Sequence, residues 1–320
     1  MTDAIFSIEN LSIDSTRGGE RTRIVDGLSL SVRPGEVYGL VGESGSGKSI
    51  SMMTAVGLAA PGLDVVSGEV TFDGTRRDAR DQRALRRPLS HGAALLFQNA
   101  KGALTPFLTA GRQVERTLRK AGHRRNLRSE VTELFRVVGL NHADHGHKYP
   151  HQISGGQAQR VAMACALATN PRLLIADEPT TALDVTTEGE LLRFLTGLCR
   201  ERDLAIVLIA HNLSLVSEHC ARLSIMHAGQ LVETGERDRI FATPLHPYTN
   251  GLIEAVPDLD APRELVPLKG TVWGGPPGHE RCRFSHRCPH AKAACDAGRP
   301  PEVTRPGQTV HCILHAEEPA

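Results

Sequence analysis

The segment GESGSGKS occupies residues 42–49 and follows EVYGLV at residues 36–41, an apolar run that predicts a short buried strand. Its glycines, lysine and serine stand at the fixed positions of the pattern G-x-x-x-x-G-K-[ST]. Glycines let such a loop curl so that successive backbone N–H groups point at phosphate oxygens, and the helix that follows adds its positive end. The segment therefore predicts a phosphate-binding loop between a strand and a helix.

Two side chains of this loop have expected roles in binding ATP and Mg²⁺. Lys48 is placed to reach the β- and γ-phosphates, and the Ser49 hydroxyl is placed to ligate Mg²⁺. The rest of the loop is expected to surround the phosphates: Gly42, Glu43, Ser44, Gly45, Ser46 and Gly47. A glycine-rich loop that only turns the chain is the alternative, but the lysine, the serine and the preceding strand together favour nucleotide binding.

A second motif, LLIADE at residues 173–178, predicts an apolar strand that ends in two carboxylates. Neighbouring positions send the two side chains in different directions. Asp177 suits a contact to Mg²⁺, and Glu178 suits polarising the water that attacks the γ-phosphate. Alone, the pair could equally cap a turn before Pro179. After a phosphate-binding loop the catalytic role is favoured, because phosphoryl transfer depends mainly on holding metal, water and phosphate in line.

The composition indicates a water-soluble protein of more than one part. Its 320 residues suffice for a substantial core and exceed one average domain. The net charge is +1, from 37 basic and 36 acidic residues, so no global field favours nucleic acid or an anionic membrane. No uninterrupted apolar run approaches the ~18 residues of a membrane span, and the start MTDAIFSIEN lacks the pattern of a signal peptide. We therefore expect neither secretion nor a membrane-spanning segment.

The hydrophobic pattern predicts an α/β fold with a P-loop ATPase core. Alternating apolar residues at 5–13 and 23–32 predict strands of an antiparallel β subdomain, and GEVTFDG predicts a short hairpin. The runs AALLF, RLLIAD, LAIVLIA and RLSIMH alternate with helical stretches, as in a parallel sheet wrapped by helices. Apolar residues recur at helical spacing from Val131 to Val138, which predicts a helical subdomain at about 99–160.

Taken together, the motifs resemble those of the ABC-transporter ATPases over about residues 5–240. They follow that family's order: the phosphate-binding loop, LLFQNA, ISGGQAQR, LLIADEP, TALD and LIAHN. The resemblance implies that Gln98, in LLFQNA, joins the bound Mg²⁺ to contacts with a membrane subunit. It also implies that His211, in LIAHN, senses the γ-phosphate and that Asp184, in TALD, helps to couple two nucleotide sites.

The ISGGQ segment at residues 153–157 has, by this resemblance, a role outside its own subunit. Ser154, Gly155, Gly156 and Gln157 would grip the γ-phosphate of an ATP held by the phosphate-binding loop of a second subunit. Two such subunits would sandwich two ATP molecules. Their closure on ATP and reopening after hydrolysis would move the membrane subunits between outward and inward states.

The sequence departs from the family pattern at three places. Ser15 stands about where relatives place an aromatic residue to stack on adenine, so that contact is open. Asn212 follows His211, where relatives often have an acidic residue. The segment after Gln98 reads NAKGALTP where relatives tend to have DPxxSLNP, which affects the expected docking to the membrane subunit but removes no catalytic group.

The character of the chain changes towards its end, so we expect an ATP-binding domain at 1–245 and an extension at 246–320. The HPYT segment and a tail with four cysteines resemble the C-terminal extension of the oligopeptide, dipeptide and nickel importers. This resemblance implies the ATP-hydrolysing subunit of an importer, peripheral on the cytoplasmic face of the membrane. The cargo is open among peptides, nickel and metal chelates. The implied partners are a second ATP-binding subunit, often a non-identical paralogue, two membrane permease subunits and an extracytoplasmic substrate-binding protein.

The four cysteines of the tail have the spacing C-x5-C-x6-C-x16-C, which is not the paired spacing of a zinc ribbon: Cys282, Cys288, Cys295 and Cys312. A reducing cytosol disfavours disulfides, which leaves a metal site or four separate thiols. Four thiolates can hold zinc or a [4Fe–4S] cluster, and the spacing does not decide between them. Resemblance to iron–sulfur members of the importer subgroup favours the cluster. Three histidines could substitute as ligands: His286, His290 and His311. The remaining cysteines are expected to pack: Cys165, Cys199 and Cys220.

Two other functions share part of this pattern. An ABC exporter's ATPase carries the same catalytic motifs, and only the HPYT segment and the cysteine tail argue against it. A soluble ABC ATPase acting on nucleic acid or ribosomes would have long coiled-coil insertions or two fused halves, which this sequence lacks. A basic cluster lacks the interleaved aromatic residues that stack on bases, so a solvated helix face is favoured over nucleic-acid binding. It comprises Arg119, Lys120, His123, Arg124, Arg125 and Arg128.

Overall fold

The computed structural model describes most of the chain. The described residues are 4–16, 19, 21–87, 92–181, 185–256, 268, 270 and 280–316, with backbone alone at 185 and 186. The strands among them are β1 (Phe6–Ser15), β2 (Thr22–Val32), β3 (Val37–Val41), β4 (Leu63–Phe72), β5 (Thr75–Asp78), β6 (Ala93–Leu96), β7 (Leu173–Asp177), β8 (Ala205–Ala210), β9 (Arg222–His227), β10 (Gln230–Glu236), β11 (Glu302–Arg305) and β12 (Gln308–His311).

The helices lie mainly between β6 and β8 and around the C-terminal part of the chain. They are α1 (Lys48–Ala55), α2 (Gln82–Leu85), α3 (Ala100–Ala103), α4 (Ala110–Lys120), α5 (Leu127–Val137), α6 (His142–His145), α7 (Gly155–Leu167), α8 (Val185–Arg202), α9 (Leu213–His219), α10 (Arg237–Ala242), α11 (Pro247–Glu254) and α12 (Ala294–Ala297). Within the described part of the chain, none of them combines the length and the apolarity needed to cross a membrane.

The chain divides into two compact units that interleave along the sequence. One unit contains the ISGGQ segment and is called the signature unit; it comprises Met1–Ile5, Arg33–Glu36 and Arg86–Ile209. The other contains the phosphate-binding loop and is called the P-loop unit; it comprises Phe6–Val32, Val37–Leu85 and Ala210–Ala320. The C-terminal extension thus belongs to the same unit as the phosphate-binding loop. The predicted domain boundary after residue 245 stays a prediction.

The first sheet of the P-loop unit is antiparallel, with strand order β2-β1-β4-β5. Apolar side chains of β1 are buried, among them Phe6, Leu11 and Ile13. The hairpin between β4 and β5 turns through Asp73 and Gly74, both at positive φ, which matches the right-handed twist of a two-residue turn. The two predicted antiparallel strands and the predicted GEVTFDG hairpin are therefore confirmed.

A second group of strands in the P-loop unit runs β3-β9-β10-β12-β11. β3 and β9 are parallel, and the pairs that follow are antiparallel. β10 binds the tail directly, because Glu233 pairs with Val310 and Gly235 with Gln308. The extension therefore adds two strands, β11 and β12, to the sheet that begins at the phosphate-binding loop.

The signature unit contains three parallel strands and a group of helices. β7 is buried along its whole length and pairs on either side with β6 and β8, as its apolar sequence predicts. Helices α3 to α7 follow β6, in the region where the sequence predicts a helical subdomain. Val131, Leu134 and Phe135 form the buried face of α5, which confirms the helical spacing read from the sequence.

Candidate nucleotide-binding site

The phosphate-binding loop joins the buried strand β3 to helix α1. Gly47 stands at the N-cap of α1 with a φ of 97°, a left-handed conformation that favours glycine. A β-carbon at Gly42 would collide with the backbone oxygen of Met226. Ser44 and Gly45 are exposed at the tip of the loop, whereas Ser46 is buried. The path of the backbone therefore requires the motif's glycines.

The Lys48 side chain is buried and turned back over the loop. Its Nζ donates hydrogen bonds to the carbonyl oxygens of Gly42 at 2.6 Å and Glu43 at 3.0 Å. It also lies 3.3 Å from Oγ of Ser46. Ser49, the second residue of α1, is half-buried. The ammonium group is thus held inside the loop that is predicted to bind phosphate.

Glu43, the second residue of the loop, is bound by two residues of the C-terminal extension. Arg287 donates two hydrogen bonds to its carboxylate, at 2.7 and 3.0 Å. The Glu43 backbone N–H donates to the hydroxyl of Tyr248 at 3.1 Å. The guanidinium of Arg287 is the main cause that holds the pKa of Glu43 below its usual value. The loop is therefore tied to residues more than 200 positions away in the sequence.

The carboxylate pair lies at the end of β7 in the signature unit. Asp177 is buried, and Glu178 is half-buried. Glu178 has a φ of 43°, a left-handed conformation that is uncommon outside glycine and that marks functional sites when its surroundings fix it. Its backbone N–H donates to the carbonyl of Ile209 at 3.1 Å, which holds this turn. Asp177 thus belongs to the extended strand, whereas Glu178 has a left-handed backbone conformation.

The structure brings Gln98 and Glu178 together. Nε2 of Gln98 donates to Oε2 of Glu178 at 3.1 Å, and the Thr181 hydroxyl donates to the same oxygen at 3.0 Å. Two motifs that the sequence marks separately, LLFQNA and LLIADE, therefore meet at one carboxylate. The role of Thr181 escaped the sequence analysis, although its place three residues after Glu178 fits a local side-chain contact.

The ISGGQ segment forms the start of α7. The Ser154 hydroxyl accepts the Gln157 N–H at 3.2 Å, and Oε1 of Gln157 accepts the Ser154 N–H at 3.0 Å, which is a capping box. Ser154 and Gly155 are exposed, and Gly156 is half-buried. A helix N-terminus attracts anions. The segment is thus presented at the surface with its backbone fixed.

The other predicted site residues lie at the ends of strands or outside the described part of the chain. His211 is exposed just after β8, and the neighbouring Asn212 caps α9 by accepting the Ser214 N–H at 2.9 Å. That cap gives Asn212 a structural role where the family pattern often has an acidic residue. Ser15 ends β1, paired with Thr22. Asp184 lies outside the described residues.

The four cysteines of the tail line one small cavity together with apolar side chains such as Phe284. The Cys282 N–H donates to the carbonyl of Cys295 at 3.0 Å. Burial raises the pKa of the Cys282 thiol to about 11, with the neighbouring thiols adding to the rise. The four thiols therefore share one cavity, and a metal bound there would have to displace their protons.

The predicted [4Fe–4S] or zinc site is nevertheless not confirmed. Among the described residues, no group of three or more His, Cys, Asp or Glu side chains is arranged to hold a metal ion. Of the possible histidine ligands, His290 lines the cysteine cavity, whereas His311 on β12 lies 3.8 Å from the carboxylate of Glu302. Cys199 and Cys220 are buried, as predicted for packing residues.

The loop, the strand-end carboxylates and the ISGGQ helix define an ATPase of the P-loop class. Two family descriptions match the sequence: "ABC transporter" over residues 25–181 and "Oligopeptide/dipeptide transporter, C-terminal region" over residues 232–295. The oligopeptide transport ATP-binding protein AppD of Bacillus subtilis is 38% identical over an alignment 325 positions long, gaps included, which covers 99% of this chain and 98% of AppD. The dipeptide transport ATP-binding protein DppD of Escherichia coli is 38% identical, with 93% and 92% covered.

Solved structures support the same assignment. The ATP-binding cassette MJ0796, described as a dimer in a post-hydrolysis state bound to ADP and Pi, superposes with a TM-score of 0.65. It is 27% identical, and the match covers 72% of this chain and 98% of that cassette. The cbiO1 protein of Clostridium perfringens matches with the same TM-score at 25% identity, covering 75% of this chain and 92% of cbiO1. The chain belongs to the ABC transporter family and is an ATPase of that family.

Proposed function

We propose that this chain is the ATP-hydrolysing subunit of an importer for peptides. The observation that carries the proposal is the similarity to AppD and DppD along nearly the whole sequence, including the C-terminal region at residues 232–295. An exporter's ATPase would share the catalytic motifs without requiring that region. Both named relatives are called peptide transporters, which favours peptides over nickel or metal chelates as the cargo.

The site residues divide the chemistry of ATP hydrolysis between them. Lys48 binds the β- and γ-phosphates, and the backbone N–H groups of the loop surround them. The buried position of Lys48 and its hydrogen bonds to loop carbonyls support this role. Glu178 polarises the attacking water, and His211 contacts the γ-phosphate. Phosphoryl transfer needs positioning more than covalent chemistry, so fixed polar groups suffice.

Three oxygen-bearing side chains are the proposed ligands of Mg²⁺: Ser49, Gln98 and Asp177. Hydroxyl, amide and carboxylate oxygens are the donors that this hard cation prefers. When bound, Mg²⁺ neutralises charge that develops on the phosphate oxygens. The hydrogen bond from Gln98 to Glu178 supports a place for Gln98 beside the proposed catalytic carboxylate.

A second ATP-binding subunit completes the proposed site. Ser154, Gly155, Gly156 and Gln157 contact the γ-phosphate held by the partner's loop, and Asp184 helps to couple the two sites. The exposure of Ser154 and Gly155 at a helix N-terminus supports this assignment. We propose that the partner is a non-identical paralogue, as in many importers of this kind.

The remaining partners are two membrane permease subunits and an extracytoplasmic substrate-binding protein, with this chain peripheral on the cytoplasmic face.

Nucleic-acid binding is disfavoured because part of the basic cluster is paired internally. Arg119 binds Glu115 at 2.6 Å, and Nδ1 of His123 lies 2.5 Å from Glu130. Those pairs reduce the positive surface that phosphates would need.

We also propose that the four tail cysteines hold a thiolate-bound metal group, a [4Fe–4S] cluster or, as the alternative, one zinc ion. Their common cavity supports this proposal. The group would be structural, since metal binding supplies folding energy to small ligand-rich segments. Iron, zinc and acid-labile sulfide measured on anaerobically purified protein distinguish cluster, zinc and free thiols.

Uptake of a labelled dipeptide by cells tests the proposed function. Cells that lack this chain should lose ATP-dependent uptake and regain it with the unmodified protein but not with Lys48→Ala. Lys120→Ala, an exposed lysine on α4, is the matched control and should restore uptake fully. Unchanged uptake in the deletion strain, or export of the peptide instead, would contradict the proposal.

A further inference from the structure

We propose that the C-terminal extension positions the phosphate-binding loop through Arg287 and Tyr248, and that this contact sets the affinity of the loop for the phosphates of ATP. The inference rests on the proposed nucleotide-binding role of the loop. It assigns to the extension a function in the ATPase site itself, in addition to marking the type of transporter.

The ion pair between Arg287 and Glu43 is the first contact. The side chain of Arg287 is only 2% exposed, and that of Glu43 is 29% exposed. Both carboxylate oxygens of Glu43 receive a guanidinium hydrogen bond. Bidentate, partly buried pairs of this kind are stronger and more geometrically specific than pairs on the open surface. The pair therefore fixes the side chain of Glu43 in one direction.

Tyr248 provides the second contact, on the backbone of the same residue. Its hydroxyl accepts the Glu43 N–H, which removes that donor from the set pointing towards phosphate. Tyr248 is fully buried near the start of α11. The neighbouring His246 caps that helix by accepting the Tyr248 N–H at 3.0 Å, so the hydroxyl is held by a rigid element.

An aromatic cluster supports both residues. The ring of His227 lies 4.5 Å from that of Tyr248 and 5.3 Å from that of Phe284, measured between centroids. The guanidinium of Arg287 lies 5.8 Å from the centroid of Phe284, within the range of a cation–π contact. Tyr248, Phe284 and His227 are buried, so the Phe284 ring gives the guanidinium of Arg287 a fixed surface on one side.

Charge explains why this geometry affects nucleotide affinity. Glu43 lies in the loop that is proposed to surround a polyphosphate, so its carboxylate would repel the ligand. Arg287 neutralises that carboxylate by binding its two oxygens, and in doing so it occupies none of the backbone N–H groups of the loop. Loss of Arg287 would leave an uncompensated, partly buried anion next to the phosphates, which weakens binding of anions.

The tail is attached to the sheet of the P-loop unit near these contacts. The Gln230 amide on β10 donates to the carbonyl of Arg281 at 3.0 Å and accepts the Arg283 N–H at 3.2 Å. Arg287 immediately precedes Cys288 in the chain. The segment that carries Arg287 is therefore held between β10 and the cysteine cavity.

The test measures binding of a non-hydrolysable ATP analogue with Mg²⁺ by calorimetry, on the full chain. Arg287→Met should raise the dissociation constant about tenfold, or ~1.4 kcal/mol. Arg287→Lys keeps the positive charge but not the bidentate geometry, so it should restore part of the affinity. In a Glu43→Gln background, Arg287→Met should change affinity little, because no carboxylate remains to be neutralised. In the assembled transporter, kcat at saturating ATP should stay within about twofold of the unmodified value while KM rises.

Two controls separate positioning from loss of folding. Arg305→Met removes an exposed arginine of the same tail and should leave the affinity unchanged. Thermal unfolding of each variant checks that the chain is folded. Equal effects of Arg287→Met with and without Glu43, or no effect on the dissociation constant, would overturn the inference. Failure of the unmodified chain to bind the analogue would contradict the nucleotide site itself.

Discussion

Nε2 of Gln98 lies 3.1 Å from Oε2 of Glu178, although the two residues are 80 positions apart in the sequence. Gln98 follows β6 and Glu178 follows β7, and these strands are parallel neighbours, so their carboxyl ends meet at one edge. If the segment of Gln98 contacts a membrane subunit, as we propose, a shift of that segment would act directly on the proposed catalytic carboxylate.

Replacement of Glu178 by Gln should abolish turnover and preserve ATP binding. The amide keeps the size of the side chain but loses the charge that polarises water. A hundredfold fall in kcat corresponds to about 2.7 kcal/mol of transition-state stabilisation. The measurement is phosphate release by the chain assembled with its partners. Glu190→Gln is the matched control, since that carboxylate is 53% exposed and pairs with Arg160 at the surface. Hydrolysis by Glu178→Gln at the unaltered rate would show that its assigned role is wrong.

Ser154→Arg should prevent ATP-driven association of two ATP-binding subunits. The substitution places bulk and positive charge where the γ-phosphate of the partner's nucleotide is proposed to lie, and it removes the cap of α7. Binding of nucleotide by Lys48 should persist. Light scattering of hydrolysis-deficient protein with ATP measures the association. Ser129→Arg, at an exposed position on α5, serves as the control. Dimers that persist with Ser154→Arg would argue against the sandwich.

Cys288→Ser should remove the proposed metal group and loosen the tail. A cluster bound by cysteines gives a brown protein with a broad absorption band near roughly 400 nm, and the band should disappear in the variant. Limited proteolysis should then cut the tail sooner than in the unmodified protein. Cys199→Ser, at a buried position in α8, should keep the band. Protein without iron, zinc or sulfide would contradict the metal proposal.

Acid should weaken the P-loop unit through its buried histidines. Burial lowers the pKa of His227 from 6.5 to about 4, and burial lowers that of His246 to about 3. A base with a depressed folded-state pKa leaves stability intact above the unfolded-state value of 6.5 and erodes it as the pH falls below that value. Each group should cost at most about 1.4 kcal/mol of unfolding free energy per pH unit.

His227→Phe provides the matched comparison for that acid effect. Phenylalanine keeps a ring between Tyr248 and Phe284 but cannot take a proton. Urea unfolding of both proteins, from about pH 7 down to about pH 4.5, should give a shallower loss of stability in the variant. Identical slopes would show that His227 is already charged in the folded protein or is not buried.

The sequence predicts those parts of the molecule that local patterns control. β7, with its run of apolar residues, needs no distant partner to be recognised as a buried strand. The phosphate-binding loop is predicted from the spacing of its own glycines, because they permit the backbone path that such a loop needs. The helical spacing from Val131 identifies α5 because one face of a helix must be apolar to pack.

Contacts between distant segments were not predictable in the same way. Arg287 and Glu43 are 244 positions apart, and nothing in either neighbourhood marks one as the partner of the other. β11 and β12 are four residues each, with sequences EVTR and QTVH that carry a weak strand signal. They form because the edge of β10 offers unpaired backbone groups. The sequence predicts cysteine ligands for a metal in the tail but not the pairing of the tail with this sheet.

The central claim is that ATP hydrolysis by this chain drives peptide import, and proteoliposomes test it most directly. They would contain this chain, a second ATP-binding subunit and the two permeases, with binding protein and labelled dipeptide on the side opposite the ATPases. Supplying ATP on the ATPase side should move dipeptide towards that side and hydrolyse ATP in parallel, and Glu178→Gln should stop both. Dipeptide movement that continues with Glu178→Gln, or ATP hydrolysis that moves no dipeptide, would contradict the claim that this chain drives peptide import.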